Sequence, residues 1–380
     1  MNTNLRPIVH ITHLAAPYLI ETRGNIVNVS SVAGIKAIAK GTSAYQVSKA
    51  GLDHFTRSAA LELAPFGVRV NSINPGPVIT NIMASANFPK ETVEAFGDLE
   101  TLTALGRISE AQEMADLILY MASDKAKCIT GSLVLITGCS SGIGAATAQC
   151  FAKEQALLAI VARNETKLKE VGETCEKLGA TSVLVIKADL SKEDEAKTIV
   201  EKTIDKFGKL DVLVNNAGIV RYAKITDINA LHIYDEVMNT NLRPVIHITQ
   251  LAAPYLMATK GNIVNVSSVA STKTAFAGMG AYHISKAGMD HFTRSTALEL
   301  ASSGVRVNSI NPGPVMTDLG RTANFPEELM AGVANIDKMT ALGRVSKSTE
   351  IGDLIVYMAS DKAKSVTGSC YVIDNGTLLK

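Results

Sequence analysis

The sequence predicts an α/β fold: a doubly wound, parallel seven-stranded sheet, preceded by an incomplete α/β repeat of the same architecture. Three observations carry this. From residue 133 onward, short aliphatic or β-branched runs alternate with longer stretches of helical period. Runs such as Leu133-Val134-Leu135-Ile136 and Val183-Leu184-Val185-Ile186 are apolar throughout, as suits strands covered on both faces. Residues 1–132 recur as 238–369, in register and without a gap, with 85 of 132 aligned positions identical.

Taken in order, the strands are expected at 133–137, 157–162, 182–188, 211–214, 262–267, 305–310 and 370–374. Helical stretches fall between them at 143–154, 164–178, 191–207, 227–257, 281–302 and 349–359. Gly261 and Gly304 interrupt the helical pattern before the fifth and sixth strands, the place of a C-terminal cap. A period this long is no solenoid repeat, whose units run to roughly 20–50 residues. It divides the chain into 133–380, a complete unit, and 1–132, a duplicate of that unit's second half.

Composition narrows the function classes. At 380 residues with 47% hydrophobic and 19% charged residues, the chain is long and apolar enough for buried cores. A net charge of +1, without a long basic or acidic run, leaves no electrostatic footprint for nucleic acid or anionic lipid. Five cysteines, Cys128, Cys139, Cys150, Cys175 and Cys370, are an odd number without CxxC spacing. Neither a disulfide framework nor a metal site is indicated, and a cytoplasmic, reducing location fits. No apolar run is long enough to cross a bilayer, and no basic-then-apolar signal opens the chain.

The first strand of the complete unit runs into Thr137-Gly138-Cys139-Ser140-Ser141-Gly142-Ile143-Gly144 and then a helix. Glycines there let the backbone turn tightly against a pyrophosphate, while the helix start offers free N–H groups and a positive dipole end. Arg163 and Asn164 follow the second strand, with no acid at that turn. A guanidinium can clasp a ribose 2′-phosphate, so this turn favours NADP(H) over NAD(H). Asp189 and Leu190 end the third strand and Asn215-Asn216-Ala217-Gly218 the fourth, both at carboxyl ends of strands where open α/β sheets place ligands. Taken singly, Asp189 reads as a cap for the helix at Ser191, and the asparagines as a turn pair.

Ser268 follows the fifth strand, and Tyr282 and Lys286 lie on the next helix. Four helical residues rise about 6 Å and return to nearly the same face, so tyrosine and lysine point together. A nearby ammonium stabilises a phenolate, which lets the pair move a proton near neutral pH. Tyr-x-x-x-Lys alone is an ordinary amphipathic pair; the whole set in order is not.

With TGxxxGIG, NNAG, the serine, YxxSK and PG-x-x-T all in sequence, residues 133–380 resemble a complete member of the short-chain dehydrogenase/reductase family, whose fold is Rossmann-type. The resemblance implies that Tyr282 is the general acid/base. Lys286 would lower its pKa and bind the nicotinamide ribose, Ser268 orient the substrate carbonyl, and Asn241 hold a water in the proton relay. Beside Tyr282 and Lys286, it gives cofactor contacts to Gly138, Ser140, Ser141, Gly142, Ile143, Gly144, Arg163, Asn164, Asp189, Leu190, Asn215, Ala217, Gly218, Pro312, Gly313, Val315 and Thr317. The implied activity is NADP(H)-dependent hydride transfer to or from a small carbonyl or secondary alcohol. A non-catalytic NADP(H)-binding or scaffolding protein is the alternative. Asp374-Asn375-Gly376 stands where the family often has Asp-Gly-Gly, and the step from Ser268 to Tyr282 is one residue longer than usual. Residues 318–340, with Phe325, Leu329 and Met330, are expected to cover the substrate.

Residues 1–132 spell the tetrad again as Asn4, Ser31, Tyr45 and Lys49, without a nucleotide turn before it. They cannot borrow 133–237, because strand 133–137 would have to be both the central first strand and the edge seventh strand. Those positions lie about 19 Å apart at about 4.8 Å per strand. This copy is expected to be silent, with an unpaired strand edge at 25–30. In the family the helices at 227–257 and 281–302 commonly form a two-fold subunit interface, so a homo-oligomer is expected, and residues 1–20 and 44–64 could dock there in place of a partner. Met1 aligns with Met238, inside a predicted helix, which also fits a join of two neighbouring duplicate genes.

Overall fold

The structure is a computed structural model and describes residues 1–38, 41–80, 82, 100, 103–122, 131–274, 276–323, 325–327 and 335–380. The chain divides into two compact units: 1–125 with 341–343 and 379–380, and 126–340 with 344–378.

The second unit is the seven-stranded parallel sheet. Its elements are β5 (Leu133–Thr137), α4 (Gly142–Lys153), β6 (Leu157–Ala162), α5 (Glu165–Lys177), β7 (Ser182–Lys187), α6 (Glu193–Phe207) and β8 (Val212–Asn215). They continue with α7 (Ala230–Asn241), α8 (Arg243–Thr259), β9 (Asn262–Val266), α9 (Gly280–Leu300), β10 (Arg306–Pro312), α10 (Ser348–Ala359) and β11 (Cys370–Ile373). The spatial order is β11-β10-β9-β8-β5-β6-β7, every neighbour parallel. Order reverses between β5 and β8, so the carboxyl ends of these strands open the crevice where such sheets bind ligands. Leu133, Leu135, Val161, Leu213, Ile263 and Val307 meet Ile199 of α6 and Ile248 and Leu256 of α8 in one core. Burying side chains of this size contributes about 1.5–3 kcal/mol each.

Two expectations need correction. The stretch 227–257 is not one helix: it splits into α7 and α8, with Pro244 in the first turn of α8. Proline has no N–H to bond back into α7, and the break falls there. Gly261 is not the helix cap either. Lys260 takes the left-handed conformation, with φ of 53°, whereas a Cβ on Gly261 would collide with the main-chain oxygen of Asp211. Gly304 does close its helical turn in that conformation, with φ of 77°.

The first unit contains α1 (Arg6–Thr22), β1 (Asn25–Val29), α2 (Ser43–Leu63), β2 (Arg69–Ile73), β3 (Val78–Ile79), β4 (Ser109–Glu110) and α3 (Ala111–Ala122). β1 pairs with β2 alone, parallel from Asn25 opposite Arg69 to Val29 opposite Ile73. Its core is small: Ala59, Val68 and Val70, with Leu19, Ile26, Phe55 and Leu63 packed against them. Two strands are too few for a sheet to stand without helical cover.

Candidate active site

The cradle at the end of β5 is built from glycines that nothing larger could replace. Gly138 and Gly142 have φ of 73° and 58°, where a Cβ is strained. A Cβ on Gly138 would also lie 2.8 Å from the Cα of Ala217, and one on Gly144 would collide with the carbonyl oxygen of Gly138. Ser141 precedes α4 without capping it through its side chain. The first-turn amides of α4, beside Ile143, therefore lack intrahelical acceptors and face the turn, an arrangement that suits a phosphate. Ser140 in the turn is half-buried.

Asn216 and Thr137 lock this turn. Asn216 donates its side-chain amide to the main-chain oxygens of Thr137 at 2.8 Å and Gly138 at 3.3 Å. The Thr137 hydroxyl accepts the amides of Asn216 at 3.0 Å and Ala217 at 3.1 Å. The doubled asparagine is the signal in the sequence, and it is the Asn216 side chain that braces the turn. Asn215 lies inside β8, 1% exposed, and spends its amide on Asn265 at 2.8 Å and Thr249 at 3.3 Å. Its side chain ties β8 to β9 and α8.

At the far end of the crevice Arg163 is exposed just beyond β6. Asn164 is committed elsewhere, its side-chain oxygen capping α5 at the amide of Lys167, 3.0 Å away. Asp189 accepts the amide and hydroxyl of Ser191 at 3.1 and 2.8 Å. Burial pushes its carboxyl up, but these bonds and the Arg163 guanidinium hold it below the usual range. Leu190 is half-buried beside it. On the opposite wall, Gly313 packs so closely that a Cβ would lie 2.7 Å from the Cα of Asp374, and a Cβ on Gly142 would meet the Thr317 methyl at 3.1 Å. Pro312 ends β10, and Val315 bridges to Ser346. A cleft runs between Gly142, Ala145, Gln149, Met316 and Thr317.

The tetrad converges beside this cradle. Tyr282 is buried beside Ser268, whose hydroxyl acts to lower the phenol's pKa. Lys286 Nζ stands 5.8 Å from the tyrosine ring centroid and donates to the Val266 oxygen at 2.7 Å. A Cβ added to Gly218 would lie 3.7 Å from that ammonium. Of the two serines after β9, Ser268 reaches Tyr282, whereas Ser267 donates to the Lys286 main-chain oxygen at 3.2 Å. Asn241 is fully buried; it accepts the amide of Ile219 at 2.8 Å and donates to the Ile219 oxygen at 2.9 Å and the Ser285 hydroxyl at 3.2 Å. It braces the NNAG loop against α9, and Ser285 joins the set unforeseen.

Electrostatics differ in one respect from expectation. Burial pushes Tyr282 up from its ordinary value, and only the Ser268 bond pulls it down. Burial likewise lowers Lys286 to about 8, against the opposing charge of Asp290. With its ammonium engaged by Val266, lysine alone does not bring the phenol into the neutral range. Asp290, a further unpredicted member, accepts Asn311 Nδ2 at 2.7 Å and the Ser309 hydroxyl at 3.1 Å. Asn311 also reaches the Ser268 oxygen at 3.2 Å, which joins α9, the end of β10 and the serine loop.

The wall around Tyr282 is apolar. Val220, Met279 and Ala323 surround Tyr282, with Ala270, Phe276 and Phe325 packed against them. Phe325 meets Tyr222 edge-on at 6.3 Å. Leu329 and Met330 lie outside the described residues, as does Cys128. Cys139, Cys150, Cys175 and Cys370 are free thiols, and among the described residues no cluster suited to a metal occurs. No described helix is long and apolar enough to cross a membrane.

In the first unit Lys49 Nζ donates to the Val29 oxygen at 2.8 Å and lies 5.7 Å from the Tyr45 ring. Asn4 donates to Ser48 at 3.1 Å, and Asn74 binds both oxygens of Asp53 at 3.0 and 2.9 Å.

A glycine cradle at the switch point of a parallel sheet, beside a buried tyrosine, lysine and serine, defines an NAD(P)-binding oxidoreductase of Rossmann fold. The chain belongs to the short-chain dehydrogenase/reductase family: a family profile described as "Enoyl-(Acyl carrier protein) reductase" matches residues 1–139 and 137–377. Among its relatives is a 3-oxoacyl-[acyl-carrier-protein] reductase of Thermotoga maritima, 36% identical over 253 residues, 66% of this chain and 99% of that protein. The 11-beta-hydroxysteroid dehydrogenase A of Sesamum indicum is 36% identical over 204 residues, 53% of this chain and 58% of its own. A Caenorhabditis elegans family member of unknown function, solved with cofactor, superposes with a TM-score of 0.61 at 36% identity, covering 66% of this chain and 96% of that one. One from Burkholderia cenocepacia in complex with NADP gives 0.60 at 31% identity, with coverage of 66% and 98%.

Proposed function

We propose that residues 133–380 form an NADP(H)-dependent reductase or dehydrogenase acting on a carbonyl or secondary alcohol attached to an apolar body. The observation that carries this reading is the buried Tyr282, beside Ser268 and flanked by Lys286, at the foot of the glycine cradle. The cradle fits a dinucleotide: glycines leave its floor open to a phosphate, and Arg163 supplies a cation, with no acid beside it, at the adenosine end. The nicotinamide supplies or accepts the hydride when bound. Ser268 orients the substrate oxygen, Tyr282 passes its proton to that oxygen as charge develops, and Lys286 stabilises the resulting phenolate. Asn241 holds the NNAG loop against α9. A positioned acid of this kind contributes typically about 10²–10⁴-fold. The apolar wall of Val220, Phe276, Met279 and Phe325 excludes water and favours an acyl or ring substrate over a small polar one.

Residues 1–132 are, on this reading, a duplicate of the catalytic half that lacks a nucleotide cradle and is silent by itself. α8 and α9 expose Ile246, Tyr255, Met257, Ile284 and Leu298, and a second copy covering them makes the protein a homo-oligomer. The test is NADPH and NADH oxidation by the full chain with ketones, aldehydes and β-ketoacyl thioesters. Turnover is expected with NADPH. Silence across the panel together with tight NADPH binding overturns the catalytic reading.

A further inference from the structure

We infer that the face of the first unit formed by α1, the open edge of β1 and α3 is a docking surface for a nucleotide-binding half of the kind residues 131–237 form, and that docking completes a second site around Tyr45. This deepens the proposed reading of residues 1–132 and rests on it.

The second unit shows what such a face is for, because Met1 corresponds to Met238 and each later residue to its counterpart in step. There β9 pairs with β8, α8 packs on α6 and α10 packs on α4. Ile248 of α8, Val266 of β9 and Val356 of α10 are 1%, 4% and 3% exposed. Their counterparts Ile11, Val29 and Leu119 are 63%, 45% and 63% exposed. Identity or apolar character is kept at each of these positions although the copies differ elsewhere. Such a surface left in water loses the stabilisation its burial gives.

A merely sticky face would not keep the polar pattern too. In the second unit Asn215 donates to Thr249 and Asn265, the Thr259 hydroxyl donates to the Leu210 oxygen at 2.7 Å, and Asp353 accepts from Cys150 at 3.3 Å. All four partners of the nucleotide-binding half recur, as Thr12, Asn28, Thr22 and Asp116. Thr22 keeps the bonds to the Tyr18 and Leu19 oxygens that Thr259 makes to Tyr255 and Leu256, and would gain the one to the incoming half. Behind the face the catalytic geometry is already set: the Lys49–Val29 and Asn4–Ser48 bonds repeat Lys286–Val266 and Asn241–Ser285 within 0.1 Å. Asn241 also binds Ile219, which the incoming half would supply to Asn4. One substitution modifies the fit. Ala115 replaces Gly352, where a Cβ would stand 3.0 Å from Cys150 Sγ, so α3 must sit a few tenths of an ångström further out.

The experiment fuses a copy of residues 131–237 ahead of Met1 in the full chain, so that Val237 joins Met1 as it joins Met238. Two readouts are taken: amide hydrogen exchange of residues 25–29 and 111–122, and moles of NADPH bound per chain. Docking slows exchange at these segments at least tenfold and raises binding from one to two, and Ile11→Asp in the fused chain reverses both. Unchanged exchange with one NADPH bound overturns the inference and leaves the reductase reading intact. Slowed exchange without any NADPH binding upholds docking and overturns the reductase reading. If the fused chain aggregates, exchange in the natural chain titrated with polypeptide 131–237 decides by the same criterion. Slow exchange in the natural chain alone, with a dimer by light scattering, means a second copy covers the face and the inference fails.

Discussion

Lys286 Nζ donates to the Val266 main-chain oxygen at 2.7 Å while it passes the Tyr282 ring at 5.8 Å. One bond thus pins the cation at the carboxyl end of β9, beside Tyr282. Tyr282→Phe should lower kcat about 10²–10⁴-fold in NADPH oxidation while NADPH affinity changes only a few-fold. Tyr45→Phe should leave turnover unchanged; a loss equal to that of the Tyr282 variant would refute the assignment.

Lys286 also gives a pH signature in stability. Its folded pKa of about 8 lies below the 10.5 of an unfolded lysine. Between these values the unfolded chain binds the extra proton, so stability should rise with pH from about 8. Burial raises Tyr282 above 10, which reverses the trend beyond that point, since the unfolded phenol ionises first. Urea unfolding at pH 7–10 should show a rise that Lys286→Met abolishes. The slope should not exceed about 1.4 kcal/mol per pH unit.

Asp290→Ala leaves the buried Asn311 amide without its shortest acceptor and removes one of the two acceptors of the Ser309 hydroxyl. The expected loss is roughly 2–3 kcal/mol, seen by calorimetry as a fall of about 5–10 °C in Tm. Asp290→Asn should recover part of it. A fall below 1 °C for the alanine variant would mean the network is not formed.

Arg163→Ala should weaken NADPH binding about 10–100-fold, as expected for loss of charge-assisted bonds to a phosphate. NADH binding should hardly change. Equal weakening of both in fluorescence titrations would exclude recognition of a 2′-phosphate.

Gly144→Ala places a methyl against the Gly138 oxygen and the Asn216 amide. NADPH binding should fall more than 100-fold with far-UV circular dichroism retained. Asn216→Ala should loosen the same turn without filling it, and give a smaller loss.

Periodicity alone located all seven strands of the second unit to within two residues, because strands covered on both faces are apolar throughout. It also brought Tyr282 and Lys286 onto one face of α9, since their spacing is local and helical. It failed at Pro244, where one missing N–H outweighed an unbroken apolar pattern.

The sequence by itself determined the fold class, the order of motifs and the repeat of the catalytic half, all of which depend on short-range spacing or on direct identity of residues. Only the tertiary structure decided which asparagine of the doubled pair braces the cradle: Asn216 rather than Asn215. Adjacent residues on an extended chain point to opposite sides, so a shift of one position exchanges ligand for core. The pairings of Asn241 with Ser285 and of Asp290 with Asn311 are likewise not legible, because they join residues 44 and 21 positions apart. Distances of that kind are set when helices pack against the sheet, and no local pattern encodes them.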